Sequence, residues 1–333
     1  MNKKIVLIAL ALLSISGNAF ARSNVLIVGS STVYPFTTVV AEKLGRLDGH
    51  KTPVVESTGT GGGMKLFCDG VGNQTPDMTN ASRAIKKSEL ELCASNNVTP
   101  IEMKVGYDGI VLANSIEAKQ LVITPRQVYL ALAKTVNGQP NPYTHWNQID
   151  PSLPEHKIEV LGPPPTSGTR DAFVELLMEK GCKTFPEIKA LKKKDKTAYK
   201  NLCHEMRDDG YFIEAGENDS LIVNMLKANP NSFGIFGFSF LDQNRDLIQG
   251  SVIGGVKPEF ENIADGSYPV SRALYVYIKK EHLTIRPSIK VFVEMYMSDE
   301  AVGEFGYLAD RGLIPMPKDE LDLAREVISI DIK

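Results

Sequence analysis

The sequence predicts an α/β architecture with largely parallel sheets, and three successions of strand, turn and helix predict it. In the first, Val25-Leu26-Ile27-Val28 is short and rich in β-branched residues, Gly29 ends it, and Phe36, Val39, Val40 and Leu44 then recur at helical spacing. In the second, Pro53-Val54-Val55 leads into the turn Ser57-Thr58-Gly59-Thr60-Gly61-Gly62-Gly63, and a helix follows from Met64 and Phe67. In the third, Ile158-Glu159-Val160-Leu161 precedes a turn from Gly162 to Gly168 and a helix in which Phe173, Leu176 and Leu177 share a face. Further on, Ala273 to Ile278 reads as a strand that returns the chain to its first half. The lysine-biased stretch Lys189 to Lys200 is interrupted by Asp195 and reads as a solvated surface helix.

The N-terminus has a different character. Met1-Asn2-Lys3-Lys4, the apolar run Ile5 to Ile15 and the small-residue pattern Ala19-Phe20-Ala21 form a secretory signal peptide, with cleavage expected after Ala21. The apolar run is about half the roughly 20 residues that a membrane-spanning helix needs. Cleavage removes Lys3 and Lys4, which takes the basic count from 37 to 35 against 40 acids and the formal charge from −3 to −5. That balance argues against nucleic acid as a partner, so any site for an anion has to be local. At 333 residues, 43% hydrophobic and 23% charged, the chain is ordinary globular material with room for two domains.

Export also bears on the four cysteines, because disulfides persist outside the cytoplasm. Three connectivities are open to them, and nearness in sequence favours Cys68 with Cys93 and Cys182 with Cys203. No pair has the close spacing of a structural zinc site, and the five histidines are scattered, so neither a metal nor a cofactor is expected.

Ligands of open α/β sheets bind at the carboxyl ends of strands, and three such ends carry turns of Gly, Ser and Thr: Gly29-Ser30-Ser31-Thr32-Val33, Ser57 to Gly63, and Thr166-Ser167-Gly168-Thr169-Arg170. Each exposes backbone N–H groups at a helix start and adds hydroxyl donors, which suits an anion's oxygens. Any one of these turns taken singly reads as helix capping, since Ser and Thr are preferred N-cap residues. Three in one chain, with Arg170 directly after Ser167-Gly168-Thr169, point to a shared anion site. A buried dianion is costly to desolvate without a cation, and an arginine fork can grip two oxygens. The glycine run is not a nucleotide phosphate loop, because Met64 precedes Lys65 and Leu66 follows it.

The succession Gly29-Ser30-Ser31-Thr32-Val33-Tyr34-Pro35, Gly59-Thr60-Gly61-Gly62-Gly63, Ala81-Ser82-Arg83, Ser167-Gly168-Thr169-Arg170, Gly216-Glu217-Asn218-Asp219 and Gly234-Ile235-Phe236-Gly237 resembles the phosphate-binding proteins of bacterial phosphate ABC importers. The resemblance implies a two-lobe periplasmic binding protein fold with the ligand held dry in the interlobe cleft. It further implies inorganic phosphate and the membrane permease of an ABC transporter as partners, a periplasmic location and a monomer. Carried over by position, the ligand set is Ser31, Thr32 and the Val33 N–H, Thr60, and Ser167, Gly168 and Thr169, with Arg170 and Arg83 as cations. Many relatives have an aspartate at the position of Arg83 and an arginine at that of Pro163. The acceptor for the proton that phosphate carries is therefore sought elsewhere, at Asp108 first and Asp219 and Asp171 behind it. The lobes are expected at 22–106 with 267–333, and at 107–266.

Two alternatives stand beside this reading. Another oxyanion, sulfate or a phosphonate, fits the same fold. An exported phosphatase with Ser167 or Thr169 as nucleophile lacks a neighbouring base and a Gly-x-Ser-x-Gly elbow, so binding rather than catalysis is expected.

Overall fold

A computed structural model describes residues 24–332 apart from Thr166, Glu217 and Asn218. The expected signal peptide and its cleavage point lie outside the described residues. Strands β1 (Leu26–Gly29), β2 (Val54–Ser57) and β3 (Met78–Ala81) are followed by the long β4 (Pro100–Ser115). After them come β5 (Val160–Gly162), β6 (Phe212–Glu214), β7 (Phe233–Gly237), β8 (Ile248–Gly250) and β9 (Ser271–Lys279).

These strands form one sheet in the order β2-β1-β3-β9-β4-β7-β5-β6, with β8 also on β4. Pairing within each half is parallel, as β1 with β2 and β3, and β5 with β6 and β7. Antiparallel pairing enters in the short hairpin of Thr135–Val136 with Gln139–Pro140 and, in the main sheet, around the strands that join the halves. There β9 runs antiparallel to β3 and β4, and β4 runs antiparallel to β7 and β8. Partners change along β4 itself: residues up to Gly109 pair with β9, and Ile110 to Ser115 pair with β7 and β8. Val105, Ile110, Val111, Leu112 and Ala113 on this strand are all buried, the continuous apolar run of a strand covered on both faces.

Helix α1 (Tyr34–Leu44) follows β1 and buries Phe36, Val40 and Leu44, three of the residues that set its helical spacing. Helix α2 (Thr60–Phe67) corrects the second expected turn, because the glycines form its first turns instead of preceding it. A Cβ on Gly63 would stand 2.5 Å from the Gly29 Cα, so the glycines let this helix pack directly on the end of β1. Helix α3 (Gly168–Phe173) runs on through a π-helical turn at Val174–Met178 into Glu179–Cys182. The lysine-biased stretch is two helices, Pro186–Lys194 and Lys196–His204. Asp195 divides them and caps the second, accepting from the N–H groups of Thr197 and Ala198.

The disulfides are Cys68–Cys93 and Cys182–Cys203, the pairing that sequence nearness favours. The second joins the end of the α3 helix to the lysine-rich pair across 21 residues. Replacing both of its cysteines by serine is expected to lower stability by about 2–5 kcal/mol, mostly through the unfolded chain. Urea unfolding checks this, and a midpoint equal to that of the parent contradicts it.

Candidate functional site

A cavity of about 370 Å³ opens where the two halves of the sheet meet. Ser31 and Thr32 line it from the turn after β1, and Ser167, Gly168 and Thr169 from the start of α3. Asp108 reaches it from β4, Asp219 from the helix Asp219–Ala228, and Ser239 and Gln243 from the helix Phe238–Gln243 after β7. Asp310, Arg311 and Gly312 close one side. Every strand end that contributes a turn does so at its carboxyl end, and the 11-residue α1 begins two residues after Thr32, so its N-terminal partial charge favours an anion here.

The two donor turns touch. A Cβ on Gly168 would stand 3.0 Å from the Thr32 Cα, and Ser31 Oγ donates to Asp171 Oδ2 at 3.1 Å. Ser167 is the N-cap of α3, its Oγ accepting from the Thr169 N–H at 3.2 Å. Asp171 lies behind this contact, its carboxyl raised above the usual range by burial, with the Ser31 hydrogen bond opposing.

Asp108 is not a turn residue but a strand residue paired across the crossing with Arg272 of β9. Arg272 is 8% exposed and donates three ways: Nε to Asp108 Oδ2 at 3.2 Å, Nη1 to Glu175 Oε2 at 3.1 Å, and Nη2 to Thr32 Oγ1 at 2.7 Å. One guanidinium thus ties both crossing strands to the first donor turn and to the helix of the third. Burial pushes the Asp108 carboxyl up, and the charge and hydrogen bond of Arg272 pull it back.

Seven of the residues expected from the sequence line the cavity: Ser31, Thr32, Asp108, Ser167, Gly168, Thr169 and Asp219. Four do not. Val33 is buried, with its N–H turned to Ser30 Oγ at 3.4 Å. Thr60 is held against the end of β3, where its Oγ1 accepts from the Ser82 N–H at 3.1 Å. Arg83 forks onto Glu89 at 2.7 and 2.9 Å, because Glu89 is fixed in place by the Lys86 N–H at the start of the helix Lys87–Ser95. Arg170 turns into its own half, donating to the Pro163 carbonyl at 3.1 Å and stacking 4.3 Å from the Phe212 ring centroid. The Pro163 carbonyl takes this bond from the side chain, while the Pro164 carbonyl accepts from the Ser167 N–H. Burial lowers Arg170, with Glu214 and Asp171 opposing.

Sequence reasoning missed Arg272, Arg311, Ser239, Gln243 and Asp310. A trace of Arg272 was present: it is the one charged residue directly before the apolar run Ala273 to Ile278. Arg311, in Asp310-Arg311-Gly312, carried no mark beyond that of a turn.

Two α/β halves joined by crossing strands, with a polar cavity between them at strand carboxyl ends, define a two-lobe binding protein of the periplasmic type. Residues 14–300 match the PBP_like_2 family, a PBP superfamily domain, and the chain belongs to that family. It is similar to Protein SphX of Synechocystis sp., 28% identical over 98% of this chain and 88% of that one. It is also similar to the phosphate-binding protein PstS of Staphylococcus saprophyticus, 26% identical over 88% of this chain and 80% of that one. Among solved structures it is similar to a possible phosphate binding protein from Planctomyces limnophilus, with a TM-score of 0.75 and 22% identity over 93% of this chain and 99% of that one. PstS from Borrelia burgdorferi follows at a TM-score of 0.60 and 19% identity, over 89% and 100%. At these identities the solved structures speak for the fold.

Proposed function

We propose that this chain captures inorganic phosphate outside the cytoplasmic membrane, as a monomer, and delivers it to the membrane permease of an ABC importer. The observation that carries the reading is the meeting of two hydroxyl- and amide-rich turns, Ser31-Thr32 and Ser167-Gly168-Thr169, across one cavity. They come from different lobes, which we take as 22–106 with 267–333, and 107–266, so a ligand bound to both favours the closed form. The printed names of the relatives, phosphate-binding proteins among them, support the same ligand.

Carboxylates in the lining favour phosphate over sulfate. Phosphate near neutral pH still carries a proton for Asp108 or Asp219 to accept, whereas fully ionised sulfate meets them lone pair to lone pair. A hydrolytic role has less support, since no histidine lines the cavity among the described residues to act as the base that a serine nucleophile needs. Calorimetry on anion-stripped protein is expected to give micromolar or tighter phosphate binding, with sulfate a poor competitor. Undetectable binding at millimolar phosphate refutes the reading, and equal competition by sulfate moves it to oxyanions in general.

A further inference from the structure

Arg83, Arg170 and Arg272 all hold their guanidinium groups on acceptors of the protein itself: Glu89, the Pro163 carbonyl, and Asp108 with Glu175 and Thr32. Arg311 differs from the three. It lines the cavity from the turn Ala309–Arg311, and among the described residues its guanidinium has no hydrogen bond, ion pair or ring contact. Its place is fixed by the backbone. Gly312 turns left-handed at φ 96°, the Leu313 N–H returns to the Leu308 carbonyl at 3.1 Å, and Ile314 exchanges two hydrogen bonds with Tyr107 at 2.8 and 3.0 Å. Tyr107 immediately precedes Asp108, so the turn is stitched to the crossing strand at the site.

Charge makes this position matter. Asp108, Asp219 and Asp310 all line the cavity, so an oxyanion entering it meets carboxylates as well as the start of α1. Arg272 is engaged with one of them, Asp108, and with Glu175, so its charge is spent largely on the protein's own carboxylates. We propose that Arg311 is the cation that meets the captured oxyanion, and that Arg272 is a positioning residue that holds Thr32 and Asp108 for it. This rests on the oxyanion reading above. Because Arg311 is exposed, it also steers the anion toward the cavity, an effect that salt weakens.

The test uses the full mature chain, stripped of anion and titrated with inorganic phosphate at low and high salt, with thermal unfolding by circular dichroism to confirm the fold. Arg311→Gln is expected to lose about 10–100-fold in affinity, as for one charge-assisted hydrogen bond, and to flatten the salt dependence. Arg311→Lys is expected to recover part of both, and Arg83→Gln to stay within about threefold of the parent. If the parent binds phosphate and Arg311→Gln binds it equally well with the same salt dependence, this assignment is overturned and the phosphate reading stands. If the parent does not bind phosphate, both fall together.

Discussion

Gly168→Leu is expected to weaken phosphate binding by about a hundredfold or more, ~2.8 kcal/mol, while leaving the unfolding temperature of the ligand-free protein nearly unchanged. The reason is geometric. Gly168 opens α3 directly opposite the Thr32 backbone, and even a Cβ there would stand 3.0 Å from the Thr32 Cα and 3.1 Å from its nitrogen. A leucine side chain reaches further and wedges the lobes apart. It sits at the first position of a helix, where leucine fits without backbone strain, so the expected penalty falls on the approach of the two turns and not on the helix itself. A residue that acts only on closure shifts the open-to-closed population and, with it, the apparent affinity. Calorimetry gives the affinity, and small-angle scattering with saturating phosphate gives the lobe separation. Parent-like affinity in this variant means that the two donor turns do not approach each other when the ligand binds.

Arg272→Met is expected to lower stability by about 3–5 kcal/mol, because it removes one partner from a buried pair and strands the other. The stranded group is Asp108, whose carboxyl is pushed up by burial and held back by Arg272. Without Arg272 it rises further. A carboxyl whose folded-state pKa lies above the unfolded value contributes to stability below the unfolded value and loses that contribution as pH rises through the folded one. The deficit of Arg272→Met is therefore smallest in acid and grows toward neutral pH. Adding Asp108→Asn removes the stranded charge and is expected to recover most of the loss at neutral pH. Urea unfolding of the parent, the single variant and the double variant at acid and neutral pH measures all of this. A deficit that neither acid nor Asp108→Asn relieves means that Arg272 contributes by packing alone.

The donor turns were legible in the sequence because their chemistry is local. Ser31-Thr32 and Ser167-Gly168-Thr169 sit where a strand hands over to a helix, and hydrophobic periodicity marks both elements. The cations were not legible, because a guanidinium reaches several residues beyond its own position and takes the best acceptor within that reach. For Arg83 that acceptor is Glu89, six residues on; for Arg170 it is the Pro163 carbonyl, seven residues back. Arg272 comes to the site through the pairing of β9 with β4, a contact between positions 164 residues apart that no local pattern encodes. The glycine run failed for a related reason: Gly61 to Gly63 look the same whether they cradle an anion or let a helix rest on a strand end, and here α2 rests on β1.

That β4 supplies hydrogen-bonding edges to both halves of the sheet has a consequence for the molecule as a whole. Neither half can be excised with its edges satisfied, since whichever piece keeps this ribbon deprives the other of its central partner. The link between the jaws is accordingly a continuous hydrogen-bonded band that changes partners at Gly109, a strap and not a loose tether.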